Sequence, residues 1–406
     1  MATVANRAHF PCFDGLRAIA AISVLLLHVG FQSGYSINGR FGALFAHGDV
    51  GVPIFFLISG FLLYRPFVSA HLDGRPPLEA RRFFWNRFLR IVPAFWIALI
   101  LISIFFGFEN GALHSPRDFI TYFGFAQIYD PIRFFGAINQ AWSLGTEMTF
   151  YLFLPLYAWA VHMIAVRARS RLRVEVIGLV VMYVTSVAFR LAVFAADPYW
   201  RHTHVAAKGA PRAFLAASYW LPSYLDLFAM GMGLALLSAW AARQTTPNRV
   251  VELIGRLPWV WWLLAAGTYW IVCTQVGLPR DLTILTGRQL VVRQLLYGLT
   301  ALFLLVPAVF GPPHRGGVRA FLQWRPIAYI GLVSYGVYLW QEAWIPQVQS
   351  WFHWRLFGGH VVQILVVSFA FTLATATLSY FIVERPALRL KSHMPFRRRA
   401  PAVSAP

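Results

Sequence analysis

Ten mostly apolar stretches recur along the chain, at roughly 15–33, 50–70, 91–108, 142–166, 174–196, 218–240, 258–276, 289–310, 327–349 and 361–383. Each is close to the ~20 residues that a helix needs to cross a hydrocarbon core, and Trp, Tyr and Arg gather at the block ends. A chain of 406 residues that is 58% hydrophobic and 12% charged, with mean hydropathy +0.59, has too little polar surface to cover a soluble fold of its size. Helical spans fit these stretches far better than a transmembrane barrel, whose strands would alternate polar and apolar over about ten residues. The expected fold is therefore all-α, a polytopic bundle of about ten spans.

The net charge of +20 has the sign of a nucleic-acid binder, but the basic residues lie between the apolar blocks and read as topology signals. With the N-terminus placed in the cytoplasm, 22 Lys and Arg fall in inside segments, 10 in outer loops and 3 within spans. The excess has the sign the positive-inside rule requires, loop after loop, and puts both termini in the cytoplasm of an inner (plasma) membrane. The first block is expected to be a retained span, since no small-residue cleavage site follows it. Residues 119–129 are too short to cross and are expected at the interface or in a re-entrant turn. Residues 1–390 then form one membrane domain, and 391–406 a basic, disordered tail with no further domain. Cys12 and Cys273 are not expected to meet as a disulfide.

Ionisable side chains inside the apolar blocks carry the chemistry. The first span, FDGLRAIAAISVLLLHVG, places Asp14, Arg17 and His28 on one stripe, with His28 roughly 16 Å deeper than Arg17. Structurally, Asp14 and Arg17 make an i, i+3 pair and His28 a bond to a neighbouring helix; functionally, His28 is a base that takes the proton of an alcohol. Ser59-Gly60 in the second span permit close helix approach, local unwinding or a ligand contact. Arg87 and Arg90, i, i+3 neighbours just before the third span, are either topology anchors or a guanidinium pair suited to phosphates. The block NQAWSLGTEMTFYLF contributes Trp142, Ser143, Glu147 and Tyr151. Glu147 and Tyr151 share a face, as a latch or as part of a site that orients His28 or binds an acceptor hydroxyl. Asp226 reads as structural. His202 and His204 lack a third ligand, so no metal is expected.

Taken together, the FDGLR opening with Arg17 and His28 eleven residues apart, GVPIFFLISGF, RFLRIVP, AWSLGTEMTFY and SYGVYLW resemble, in that order, membrane acyltransferase family 3 from about Phe13 to Glu384. The resemblance implies transfer of an acetyl or other short acyl group from cytoplasmic acyl-CoA to a glycan, glycolipid or similar lipid acceptor at the outer face. It implies that His28 is catalytic, that Asp14 and Arg17 organise the inner mouth, that Arg87 and Arg90 hold coenzyme A, and that Glu147 lines the site. Where many members carry a His after the last motif this sequence has Gln341-Glu342, so no role carries over to that position. Some members continue into an extracytoplasmic esterase-like domain, which is not read here.

On this reading acyl-CoA is the only cofactor-like group, donor rather than resident, with Ser59 and Gly60 beside it, and Trp142, Ser143 and Tyr151 face the acceptor. His28 acts as general base or as a transiently acylated nucleophile. The rivals are a transporter or flippase, which would favour inverted repeats that the sequence does not display, and a carrier that exports acyl groups to a separate partner.

Overall fold

The computed structural model of the protein describes residues 10–76, 78–107, 113–196, 216–244, 249–281, 285–310 and 316–393. His202 and His204, and most of the basic tail, lie outside them. Every regular element among the described residues is helical, as the spacing of the apolar blocks requires. Among the described residues, eight helices, each counted with any short helical turn that continues it, are long and apolar enough to cross a membrane. They are α1 (Phe13–Ser33), α2 (Gly51–Leu72), α3 (Ala80–Phe105), α5 (Trp142–Arg167), α6 (Arg171–Ala196), α7 (Leu225–Ala241), α9 (Gly287–Val309) and α12 (Val361–Ser379). The short α4 (Pro116–Phe123) precedes α5.

The other two blocks read as spans are not among these eight. Residues 258–276 form α8 (Pro258–Thr274), whose 17 residues pack along α9. Residues 327–349 divide into α10 (Arg325–Leu332) and α11 (Ser334–Trp351), separated by the single residue Val333.

In lipid a helix satisfies its own backbone, so its ends and its contacts decide how the chain folds. Gly34, in the left-handed conformation at φ 78°, closes α1 by returning its N–H to Phe31 O. Ser115 and Asp118 form a capping box at the start of α4, and Thr286 and Gln289 another at α9. The stretch 119–129 is accordingly one short helix and a 3-10 turn, fastened by Trp96 Nε1 to Phe123 O and by Trp220 Nε1 to Ile128 O.

The packing centre is the seam of α2 with α7. A Cβ on Gly60 would stand 2.5 Å from Phe228 O, and one on Gly231 2.2 Å from Leu57 O, so small residues on both helices let the backbones approach. Phe56 and Phe150 stack on Phe228 beside this seam. Asp226 at the start of α7 takes the buried ends of Arg190, Ser186 and Gln294, a structural knot of the kind expected for it. Leu152, Leu156, Ile177, Val181 and Val184 face outward, where lipid is the natural solvent. Cys12 and Cys273 are both free and sit in separate clusters.

Candidate active site

Helix α3 begins at Ala80, about ten residues before the apolar block, so Arg87 and Arg90 stand on a helix rather than in a loop. One turn apart, they share a cavity of about 120 Å³ with Arg17 of α1. That is several times the ~10–15 Å³ that one water needs. Arg17 Nη1 is held by Asp14 Oδ1 at 2.6 Å, the i, i+3 pair read from the sequence. Arg90 Nη1 lies 3.9 Å from Glu384 Oε2. Arg87 has no hydrogen bond or ion pair among the described residues. Three guanidinium groups thus face one small space with two carboxylates beside them, which is an arrangement for an anion.

Glu384 was not singled out by sequence reasoning. It ends a π-turn, Tyr380–Glu384, that follows α12, and it is 1% exposed with neither oxygen hydrogen-bonded among the described residues. A π-turn shifts the register by one residue and often marks a functional position. Here it coincides with the carboxylate that faces Arg90.

Farther along the cavity, Glu147 Oε1 accepts from Ser59 Oγ and from Tyr151 Oη, each at 2.5 Å. Glu147 therefore belongs to the cavity and does not orient His28. Ser59 lines the space, whereas its neighbour Gly60 is turned to Phe228 and serves the α2/α7 seam. Of the two roles open to this pair, packing falls to Gly60. Beyond Glu147, Ser143 Oγ meets the hydroxyl of Tyr338, 2.8 Å away on α11. Trp142 is not among the lining residues and packs instead on Tyr219 and Tyr224, with centroids 4.6 and 5.6 Å away.

His28 stands outside the cavity, eleven residues, or about 16 Å, along α1 from Arg17. One turn of α11 past Tyr338, Glu342 puts Oε1 3.1 Å from His28 Nε2 and 3.3 Å from the amide of Asn139. Nδ1 is buried and has no partner among the described residues. An acid beside one imidazole nitrogen, with the other nitrogen unpartnered, is an arrangement that a base or a nucleophile uses. The sequence signal for Glu342 was faint: one acid in SYGVYLWQEAW, at a place where the resemblance carried no role over.

From end to end, the site is a polar column in an apolar bundle. It runs from Arg17, Arg87 and Arg90, through Ser59, Glu147 and Tyr151, then Ser143 and Tyr338, to Glu342 and His28. No group of His, Cys, Asp and Glu able to hold a metal occurs among the described residues.

Residues 10–384 match a family model described as an acyltransferase domain. A protein of Bacillus subtilis provisionally named a peptidoglycan O-acetyltransferase is 25% identical over 406 residues, 97% of this chain and 57% of its own length. A peptidoglycan O-acetyltransferase of Listeria monocytogenes is 25% identical over 403 residues, covering 94% of this chain and 56% of the relative. A Staphylococcus aureus protein provisionally named an O-acetyltransferase is 23% identical over 395 residues, 93% and 57% of the two chains. The chain thus spans little more than half the length of these relatives. No solved structure matches it.

Proposed function

The chain belongs to this acyltransferase family, and from that premise we propose that it is an integral-membrane O-acyltransferase. It moves an acetyl or similar short acyl group from acyl-CoA at the arginine end of the column to a hydroxyl of an envelope glycan or glycolipid at the histidine end. The names of the relatives favour acetyl as the group and a peptidoglycan-like glycan as the acceptor. Counting α8 and the α10/α11 pair as crossings gives ten spans, with both termini and Arg87 and Arg90 in the cytoplasm of the plasma membrane.

One observation carries the reading. The column has three arginines around a small cavity at one end, Arg87 among them, and at the other an imidazole beside a carboxylate, whose Nδ1 has no partner among the described residues. Coenzyme A has the matching layout, with phosphates at one end of a narrow arm and the thioester at the other. The phosphates rest on Arg87 and Arg90, Arg17 adds a third positive charge, and the arm lies along Ser59, Glu147 and Tyr338.

At the outer end, His28 Nδ1 takes the proton of the acceptor hydroxyl as its oxygen attacks the thioester carbonyl carbon. The C–S bond breaks, the acyl group stays on the acceptor oxygen, and the proton passes from His28 to the departing thiolate. If His28 is acylated first, the same nitrogen bonds the carbonyl carbon as the C–S bond breaks and the thiolate of coenzyme A leaves; the acceptor oxygen then displaces the imidazole, and its proton passes to that thiolate. Glu342 stabilises the imidazolium in the first case and sets the tautomer in both. The thioester is already activated, so neither route calls on a metal.

The test is to incubate purified protein in lipid with labelled acetyl-CoA and envelope glycan fragments. Release of coenzyme A and label in the glycan, both acceptor-dependent, are the expected result. Label in free acetate alone would point to a hydrolase or to export of the group.

A further inference from the structure

A second cavity, of about 530 Å³, opens sideways between α6 and α7, away from the polar column. Its lining is almost wholly apolar: Leu172, Val176 and Tyr183 of α6, and Met230, Gly233 and Trp240 of α7. From Leu172 to Tyr183 it runs eleven residues, about 16 Å, which is close to half of a ~30 Å hydrocarbon core and so the depth of one leaflet. The groove thus has the length and polarity of a lipid chain.

At its shallow end the chain turns from α5 into α6 through Arg167, Arg169, Arg171 and Arg173, all exposed. Arg171 donates to Leu72 O at 3.4 Å. No ion pair engages any of the four among the described residues. Asp73 holds Arg75 and Arg243, and Glu175 is fully buried against His71 and Tyr64. Trp240 marks the interface level at the same end. This end lies on the side of Arg87 and Arg90, because the loop from α2 to α3 joins the two regions.

We propose that the groove between α6 and α7 binds an anionic phospholipid of that leaflet, with one acyl chain in the groove and the phosphate on the arginines of residues 167–173. The apolar lining sets the depth and the basic cluster sets the headgroup charge. A bound chain would also brace the outer side of α7, the helix whose Gly231 lies against Leu57 of α2.

The floor of the groove permits a clean test. A Cβ on Gly233 meets nothing within 4 Å, so Gly233→Leu projects its side chain into the groove. Full-chain protein supplied with equal phosphatidylglycerol and phosphatidylcholine in detergent is analysed by native mass spectrometry for the lipid it retains. Wild type is expected to keep phosphatidylglycerol preferentially. Gly233→Leu loses that retained lipid, and replacement of Arg167, Arg169 and Arg173 by Gln removes the preference, at about fivefold per arginine. If Gly233→Leu fails to insert, Val180→Trp at the exposed rim fills the same groove. Equal retention of the two lipids by wild type overturns the proposal, as does unchanged phosphatidylglycerol in a filled-groove variant or unchanged preference in the arginine variant.

Discussion

Nε2 of His28 and Oε1 of Glu342 are 3.1 Å apart, across the contact of α1 with α11. The pair sets an acid beside one imidazole nitrogen, while Nδ1 has no partner among the described residues. Glu342 is a positioning residue on this account, because it acts through His28.

Glu342→Gln keeps the shape but removes the charge that holds the imidazole. Turnover is expected to fall by at least about 10²-fold with little change in the KM for acetyl-CoA, and Glu342→Asp should recover part of it. The pH profile of the residual activity should shift as well. Equal loss in the Gln and Asp variants, with an unshifted profile, would mean that Glu342 only helps to pack α11.

At the other end of the column, Arg87→Lys and Arg90→Lys preserve charge but lose the planar fork. The apparent affinity for acetyl-CoA is expected to fall about tenfold in each, equivalent to ~1.4 kcal/mol, with membrane topology unchanged. Unchanged affinity in both, at matched membrane abundance, would remove the donor site from this helix.

Ser59 and Gly60 are neighbours with different tasks. Ser59→Ala is expected to leave thermal stability near wild type and to lower activity, since it removes a donor from Glu147. Gly60→Val forces a side chain towards Phe228 O, and overpacking of this kind costs about 1–3 kcal/mol. Thermal unfolding of the two variants in the same detergent checks both statements. An unchanged midpoint for Gly60→Val contradicts the seam.

These residues also mark how far the sequence could be read. The apolar blocks were legible because lipid demands helices of a fixed length, and α1, α2 and α12 follow from that demand alone. Asp14 and Arg17 were legible because i, i+3 neighbours meet on any helix. Glu342 and Glu384 were not, since each acquires its partner from a helix distant in the chain, and the π-turn that carries Glu384 leaves no local signal. Gly60 was ambiguous for a similar reason: only the position of α7 decides what a glycine there approaches.

Outside the spanning helices, Arg133 and Ser115 hold the Asp118 carboxyl down to about 2, and the same arginine reaches Asp130. A depressed carboxylate stabilises the fold above its unfolded value and ceases to do so as pH falls through the folded one. The α4 segment should therefore keep its hydrogen-exchange protection from neutral pH down to about 4 and lose it between there and about 2, after correction for intrinsic exchange. Arg133→Gln should move that loss to higher pH. Identical profiles for wild type and variant would show that α4 is held in some other way.

The central claim is that His28 is where the acyl group leaves acetyl-CoA for the acceptor. It is tested most directly by following acceptor-dependent release of coenzyme A from His28→Ala protein, matched to wild type for membrane abundance and thermal midpoint. The account predicts that the variant still binds acetyl-CoA, through Arg87 and Arg90, while release falls by at least about 10²-fold. Release within a few fold of wild type would contradict it and leave His28 a structural partner of Glu342.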